Sequence, residues 1–94
     1  MSLENSSQII IFALNHPLRR WIIELLADHR TLNCTELKGF LNISPGRLSY
    51  HLENLVGLVE QDKNQRYMLS GKGKRAYRLL MRSKARMNIN WLSW

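Results

Sequence analysis

Six residues in one short stretch carry most of the chemistry this chain offers. Ser44, Gly46, Arg47, Ser49, Tyr50 and Asn54 supply two hydroxyls, an open stretch of backbone, a guanidinium, a phenol and a carboxamide. Such groups donate and accept hydrogen bonds in the way that reads base edges and grips phosphates. They are interleaved with Leu48, Leu52 and Leu55, which recur at spacings of four and three and so share one face of a helix. Opposite that face lie Gly46, Tyr50 and Glu53, flanked by Arg47, Ser49 and Asn54. A leucine face would fix this helix to a core, and the polar face would meet a major groove. Any solvated helix also has a polar outer face, so the neighbouring segments must decide.

Other chemistries find little here. The chain has no paired carboxylates, no activated-nucleophile pattern and no Gly-rich phosphate loop, so an enzyme is not expected. A single cysteine, Cys34, excludes an internal disulfide framework and any Cys-rich zinc module. It reads as a small buried hydrophobe. His16, His29 and His51 are too scattered to form a ligand set, and His51 reads as a packed, hydrogen-bonded side chain. No metal, cofactor or nameable small-molecule site is expected.

Charge supports a nucleic-acid partner. The 94 residues hold 14 Lys and Arg against 7 Asp and Glu, a net of +7. The distribution is lopsided. Residues 1–62 carry five basic and all seven acidic residues, whereas residues 63–94 carry nine basic residues and no acid. A positive region of this kind suits double-stranded DNA or another polyanion.

The elements that must position these groups follow from periodicity and punctuation. A first helix is expected from about Ser6 to Leu14, stopped by Asn15-His16-Pro17. Pro17 opens the next, with Asn15 or His16 as cap, running to about His29. Its inner face is Leu18, Ile22, Leu25 and Leu26 with Trp21 beside them, and Arg19, Arg20, Glu24 and Asp28 fall on the solvent side. Thr31 to Cys34 is a turn or a single strand. Thr35 caps a short helix through Leu41 that buries Leu37, Phe40 and Leu41. Ser44-Pro45 is a strong helix start, and Gly57 ends the helix that follows. Leu58–Gln61 and Arg66–Leu69 form a hairpin about the turn Asp62-Lys63-Asn64-Gln65, and a last helix spans about Lys72 to Met87. The fold class is therefore mainly α with a small β-hairpin, a winged helix-turn-helix, in one domain over residues 1–87 with a short tail over 88–94. The hairpin is the wing, with Lys63, Asn64, Gln65 and Arg66 as its DNA-binding residues.

At this point the chain resembles a known family. Ala13-Leu14-Asn15-His16-Pro17-Leu18-Arg19 resembles the A-L-x-H-P-x-R opening of ArsR-like winged-helix regulators. Ile43 to Leu55 is similar to their recognition helix, S-x-x-x-[LV]-S-x-H-L-x-x-L. Gly57-Leu58-Val59 looks like their entry to the wing, and Tyr67-Met68-Leu69-Ser70-Gly71-Lys72-Gly73 resembles the exit from the wing in MarR- and PadR-like relatives. The likeness spans about residues 10–80 in order. It implies a prokaryotic homodimeric DNA-binding regulator of transcription. The Cys-x-Cys of the family's metal sensors is absent, since Asn33-Cys34-Thr35 holds one cysteine.

The dimer is expected through the two ends of the chain. Ile9, Ile10 and Phe12, with Ile11, offer an apolar surface wider than one helix stripe needs, and Ala76, Leu79, Leu80 and Met87 offer another. A basic face of Lys74, Arg75, Arg78, Arg82 and Arg86 runs along the last helix and reaches flanking phosphates or is simply solvated. Trp91 and Trp94 fold back on the dimer or lie on a membrane surface, and the former is preferred. The longest apolar run, Ile9–Leu14, is too short to span a bilayer, and no basic segment precedes it, so a cytoplasmic protein is expected. Two other readings remain: a non-specific architectural DNA-binding protein, and a winged-helix module that binds an acidic protein.

Overall fold

The computed structural model describes Ile10 and residues 13–86. Helix α1 (Pro17–His29), α2 (Cys34–Leu41) and α3 (Pro45–Glu53) come first, then strands β1 (Val59–Gln61) and β2 (Tyr67–Leu69), then α4 (Gly71–Arg86). Ile10 and Ala13 are helical ahead of α1, and the Leu14 N–H donates to the Ile10 carbonyl at 2.9 Å. The other residues of the expected first helix, with Ile9, Phe12, Met87 and the tryptophan tail, lie outside the described residues.

Each helix starts where a side chain satisfies its free N–H groups. His16 caps α1 by accepting the Leu18 N–H at Nδ1, 3.1 Å away, and Pro17 gives up no needed donor as the first helical residue. The second helix begins earlier than expected. Asn33, not Thr35, is its cap, in a reciprocal box: Asn33 Oδ1 takes the Glu36 N–H, and Glu36 Oε1 takes the Asn33 N–H. The Asn33 N–H, and behind it the Arg66 guanidinium, hold the Glu36 carboxyl below its usual range. Asn42 ends α2 at φ 55°, a left-handed conformation that Asn tolerates. Ser44 caps α3 by accepting the Arg47 N–H at 3.2 Å, with Pro45 following it.

One core unites these elements. Ile22, Ile23, Leu26, Leu37, Leu55 and Leu58 are the largest fully buried side chains. Leu25, Leu32, Leu41, Leu48, Leu69 and Ala76 are buried with them, and Leu18, Leu52 and Tyr77 pack at the margin. Arg19 was expected toward solvent on α1 and is instead buried, with only 8% of its surface exposed. Trp21 and Phe40 are nearly half exposed rather than inside, and the Phe40 ring lies tilted against His29 with centroids 5.0 Å apart. The reason is spacing: Ile22 and Ile23 both turn inward, which rotates the buried arc of α1 toward Arg19 and away from Trp21.

The hairpin is antiparallel, with Val59, Glu60 and Gln61 opposite Leu69, Met68 and Tyr67. Its tip is a three-residue loop. The Gln65 N–H donates to the Asp62 carbonyl at 2.9 Å, Gln65 adopts φ 64°, and the Asp62 N–H reaches the Arg66 carbonyl at 2.8 Å. The Asp62 carboxylate secures the turn by accepting the Asn64 and Arg66 N–H groups at 2.8 and 3.0 Å. Leu32 adds a single-residue third strand, exchanging both backbone hydrogen bonds with Tyr67 at 3.0 and 2.7 Å. Cys34, at the start of α2, is exposed rather than buried, with its Sγ 3.8 Å from the Tyr67 hydroxyl. A three-helix unit, a strand residue before the second helix and a hairpin after the third make a winged helix-turn-helix.

The wing is tied to its root by Ser70. Its hydroxyl donates to the Gly57 carbonyl at 2.6 Å and accepts the Gly73 N–H at 3.0 Å, while its own N–H donates to the Leu58 carbonyl at 2.9 Å. The two segments at the wing's entry and exit thereby meet in space, and α4 starts directly against the backbone of Leu58.

Candidate nucleic-acid interface

Helix α3 presents its two faces as its leucine spacing requires. Leu48 and His51 are buried, Leu52 is half-buried, and Leu55 just beyond the helix has no exposure. Ser44, Gly46, Arg47, Ser49 and Tyr50 are all exposed, and Tyr50 keeps 57% of its surface in solvent. Five of the six candidate groups thus share one open surface at the N-terminal part of the helix. There the positive end of the helix dipole adds to the charge of Arg47. Asn54 differs. It is half-buried, and its side-chain amide donates to the Tyr50 carbonyl at 2.9 Å, closing the C-terminal end of α3.

Aromatic rings connect this surface to α1. The Tyr50 ring meets His51 edge-on at 5.2 Å, and His51 meets His16, the cap of α1, at 4.5 Å. His51 is 2% exposed, and among the described residues its Nδ1 has no hydrogen-bond partner. It is packed as expected, against the rings of His16 and Tyr50, and the expected hydrogen bond is not found at Nδ1 among the described residues. Burial pushes its pKa down first, and the nearby His16, Arg19 and Arg47 push it further. The Arg19 Nε and Nη1 likewise lack partners among the described residues. Sequence patterning offers little signal for this cluster, because an arginine inside an apolar stripe reads as solvent-facing.

A pH dependence follows from His51. In the unfolded chain it titrates near the ordinary value of about 6.5. In the folded chain its value is lower. Above the ordinary value both forms are neutral, and the difference contributes nothing. Below it the unfolded chain takes up a proton that the folded chain resists, so stability falls as pH drops, until the folded value is passed. Urea unfolding at a series of pH values should show this decline, and His51→Gln should flatten it. An equal decline in the variant would assign it to other groups.

The wing divides its four candidate residues. Lys63, Asn64 and Gln65 form an exposed tip. Arg66 stands apart from them: it is half-buried and engaged with Thr31 and Glu36. Its Nε donates to the Thr31 hydroxyl at 2.9 Å, and its Nη2 to the Thr31 carbonyl at 3.3 Å and to Glu36 at 3.1 Å. Through Nε and Nη2, Arg66 braces the wing against Thr31 and α2.

The expected dimer residues separate in the same way. Ile10, Ala76 and Leu80 are buried within the chain itself, so they belong to the monomer core or its edge. Leu79 is 40% exposed and faces outward from α4. Among the described residues no group of His, Cys, Asp and Glu is placed to hold a metal ion, and no helix is long and apolar enough to cross a membrane.

The geometry defines the class, a winged helix-turn-helix domain in which the outer face of α3 and the wing tip are both exposed. No protein-family model matches the chain, and no curated protein does either.

Proposed function

We propose that the chain is a DNA-binding regulator of transcription that inserts α3 into a major groove and lays the wing tip on the adjacent backbone. The observation that carries this reading is the shared exposure of Gly46, Arg47, Ser49 and Tyr50 on a helix whose opposite face is locked into the core. The basic balance of residues 63–94 and the ArsR-like order of motifs support it. Arg47 and Tyr50 are the base- or phosphate-contacting pair in this reading, Ser44, Ser49 and Asn54 are secondary, and Lys63, Asn64 and Gln65 act at the wing. A homodimer built through the N-terminal helix and α4 belongs to the same proposal, with Leu79 as its exposed described contact. A two-fold axis would set two recognition helices about 34 Å apart, one turn of DNA.

Fluorescence anisotropy with labelled duplexes at several salt concentrations tests the wing. Lys63→Ala should weaken binding to all sequences alike and lower the salt slope by roughly one. A loss confined to one sequence would mean that the wing reads bases. Binding that is steeply salt-dependent yet indifferent to sequence would favour an architectural protein instead.

A further inference from the structure

A cleft of about 750 Å³ opens between the C-terminal half of α1, strand β2 and the first turns of α4, away from the recognition surface. Its floor is apolar: Leu26 and Leu69 are buried, and Ala27, Met68 and Tyr77 are half-buried. The charged side chains at its rim are all cations: Arg30, Lys74 and Arg78. His29, Arg30, Lys74 and Arg78 all line the cleft and are all exposed, and no carboxylate lines it among the described residues.

Its wall is held in place independently of any ligand. Thr31 accepts two hydrogen bonds from Arg66, and Leu69 and Met68 are paired to β1. Arg30 sits in the wall at φ 68° and ψ −56°, with the Thr31 N–H donating to the His29 carbonyl at 2.8 Å. That is a γ-turn of positive φ, a conformation rarely adopted by a residue with a side chain and one that recurs where backbone shapes a ligand site. An apolar floor under a cationic rim, within the volume range of small-molecule sites, fits one class of ligand.

We propose that this cleft binds a small amphipathic carboxylate, with its hydrocarbon part on Leu26, Ala27 and Met68 and its carboxylate at Arg30 and Arg78. The site stands apart from α3 and the wing tip, and its occupancy does not depend on DNA binding.

The test titrates the whole chain with sodium decanoate and, separately, with sodium cinnamate, read by amide NMR at fixed protein concentration. Decyltrimethylammonium serves as the probe of opposite charge. At least one carboxylate should move the resonances of Ala27, Arg30, Met68 and Tyr77, and the cationic probe should not. The double variant Arg30→Gly, Arg78→Gln should bind that carboxylate about tenfold more weakly. Glycine suits the positive φ at position 30, so the fold should survive the change. The wild-type comparison of the two charges stands even without the variant. Three results would overturn the proposal: neither carboxylate shifts these residues, the cationic probe binds as well, or the double variant binds unchanged. Shifts at the same positions on protein dilution alone would also overturn it, by giving the cleft to a second copy of the chain.

Discussion

Gly73→Ala is expected to be the most damaging single-methyl change in this domain. A Cβ at position 73 would lie 2.0 Å from the Leu58 carbonyl oxygen, 3.0 Å from the Leu58 carbonyl carbon and 3.2 Å from the Leu69 Cβ. The first two neighbours are backbone, so no rotamer change relieves the clash. The start of α4 must move off the root of the wing, straining the Ser70 hydrogen bonds to Gly57 and Leu58 as it goes. Overpacking of this kind costs about 3 kcal/mol, toward the upper end of its usual range. In a domain of this size that lowers Tm by about 15 °C. Gly71→Ala is the matched control. Nothing lies within 4 Å of a Cβ there. The alanine should be neutral or stabilise by about 0.5 kcal/mol through its lower unfolded-state entropy. Thermal unfolding by circular dichroism compares the two directly. Equal melting temperatures would mean that α4 does not sit against Leu58.

The second large effect concerns recognition. Arg47→Ala should weaken binding to a preferred duplex by about 1–3 kcal/mol, or roughly 5- to 150-fold in Kd. Arg47 is exposed, and it is its backbone N–H that donates to the Ser44 hydroxyl in the cap of α3. Removing its side chain therefore leaves the cap intact, and stability should change little. This separates loss of contact from loss of fold. Gln61→Ala, at an exposed position at the end of β1, provides a comparison outside the proposed contact set. If Arg47→Ala and Gln61→Ala bind the preferred duplex equally well, α3 is not the reading element.

Much of this arrangement was legible from residue types and spacing. Pro17 and Ser44-Pro45 mark two helix starts because a proline loses nothing at the first helical position, and both are found there. Leu48 and Leu55 identify the inner face of α3, and the turn chemistry of Asp62 to Gln65 locates the hairpin. Other features depend on contacts distant in the chain. Nothing in the local sequence of Arg66 shows its bonds to Thr31 and Glu36, both far away in sequence. Arg19 reads as solvent-facing until the rotation of α1 buries it. The apolar stripe of α4 reads as a dimer surface, yet Ala76 and Leu80 are spent on the chain's own interior. A helical stripe shows that a face is covered and says nothing of whether the cover belongs to the same chain. The close approach of Gly73 to Leu58 likewise depends on the path of the backbone between the two.

The most direct test of the central claim is selection of duplexes bound by the whole chain from a random DNA pool, followed by anisotropy on the enriched sequence at physiological salt. A dimeric regulator should enrich a palindrome with half-sites about one helical turn apart and bind it at least about a thousandfold more tightly than random DNA. A pool that stays random, or an enriched duplex bound no better than an unselected one, would contradict this claim.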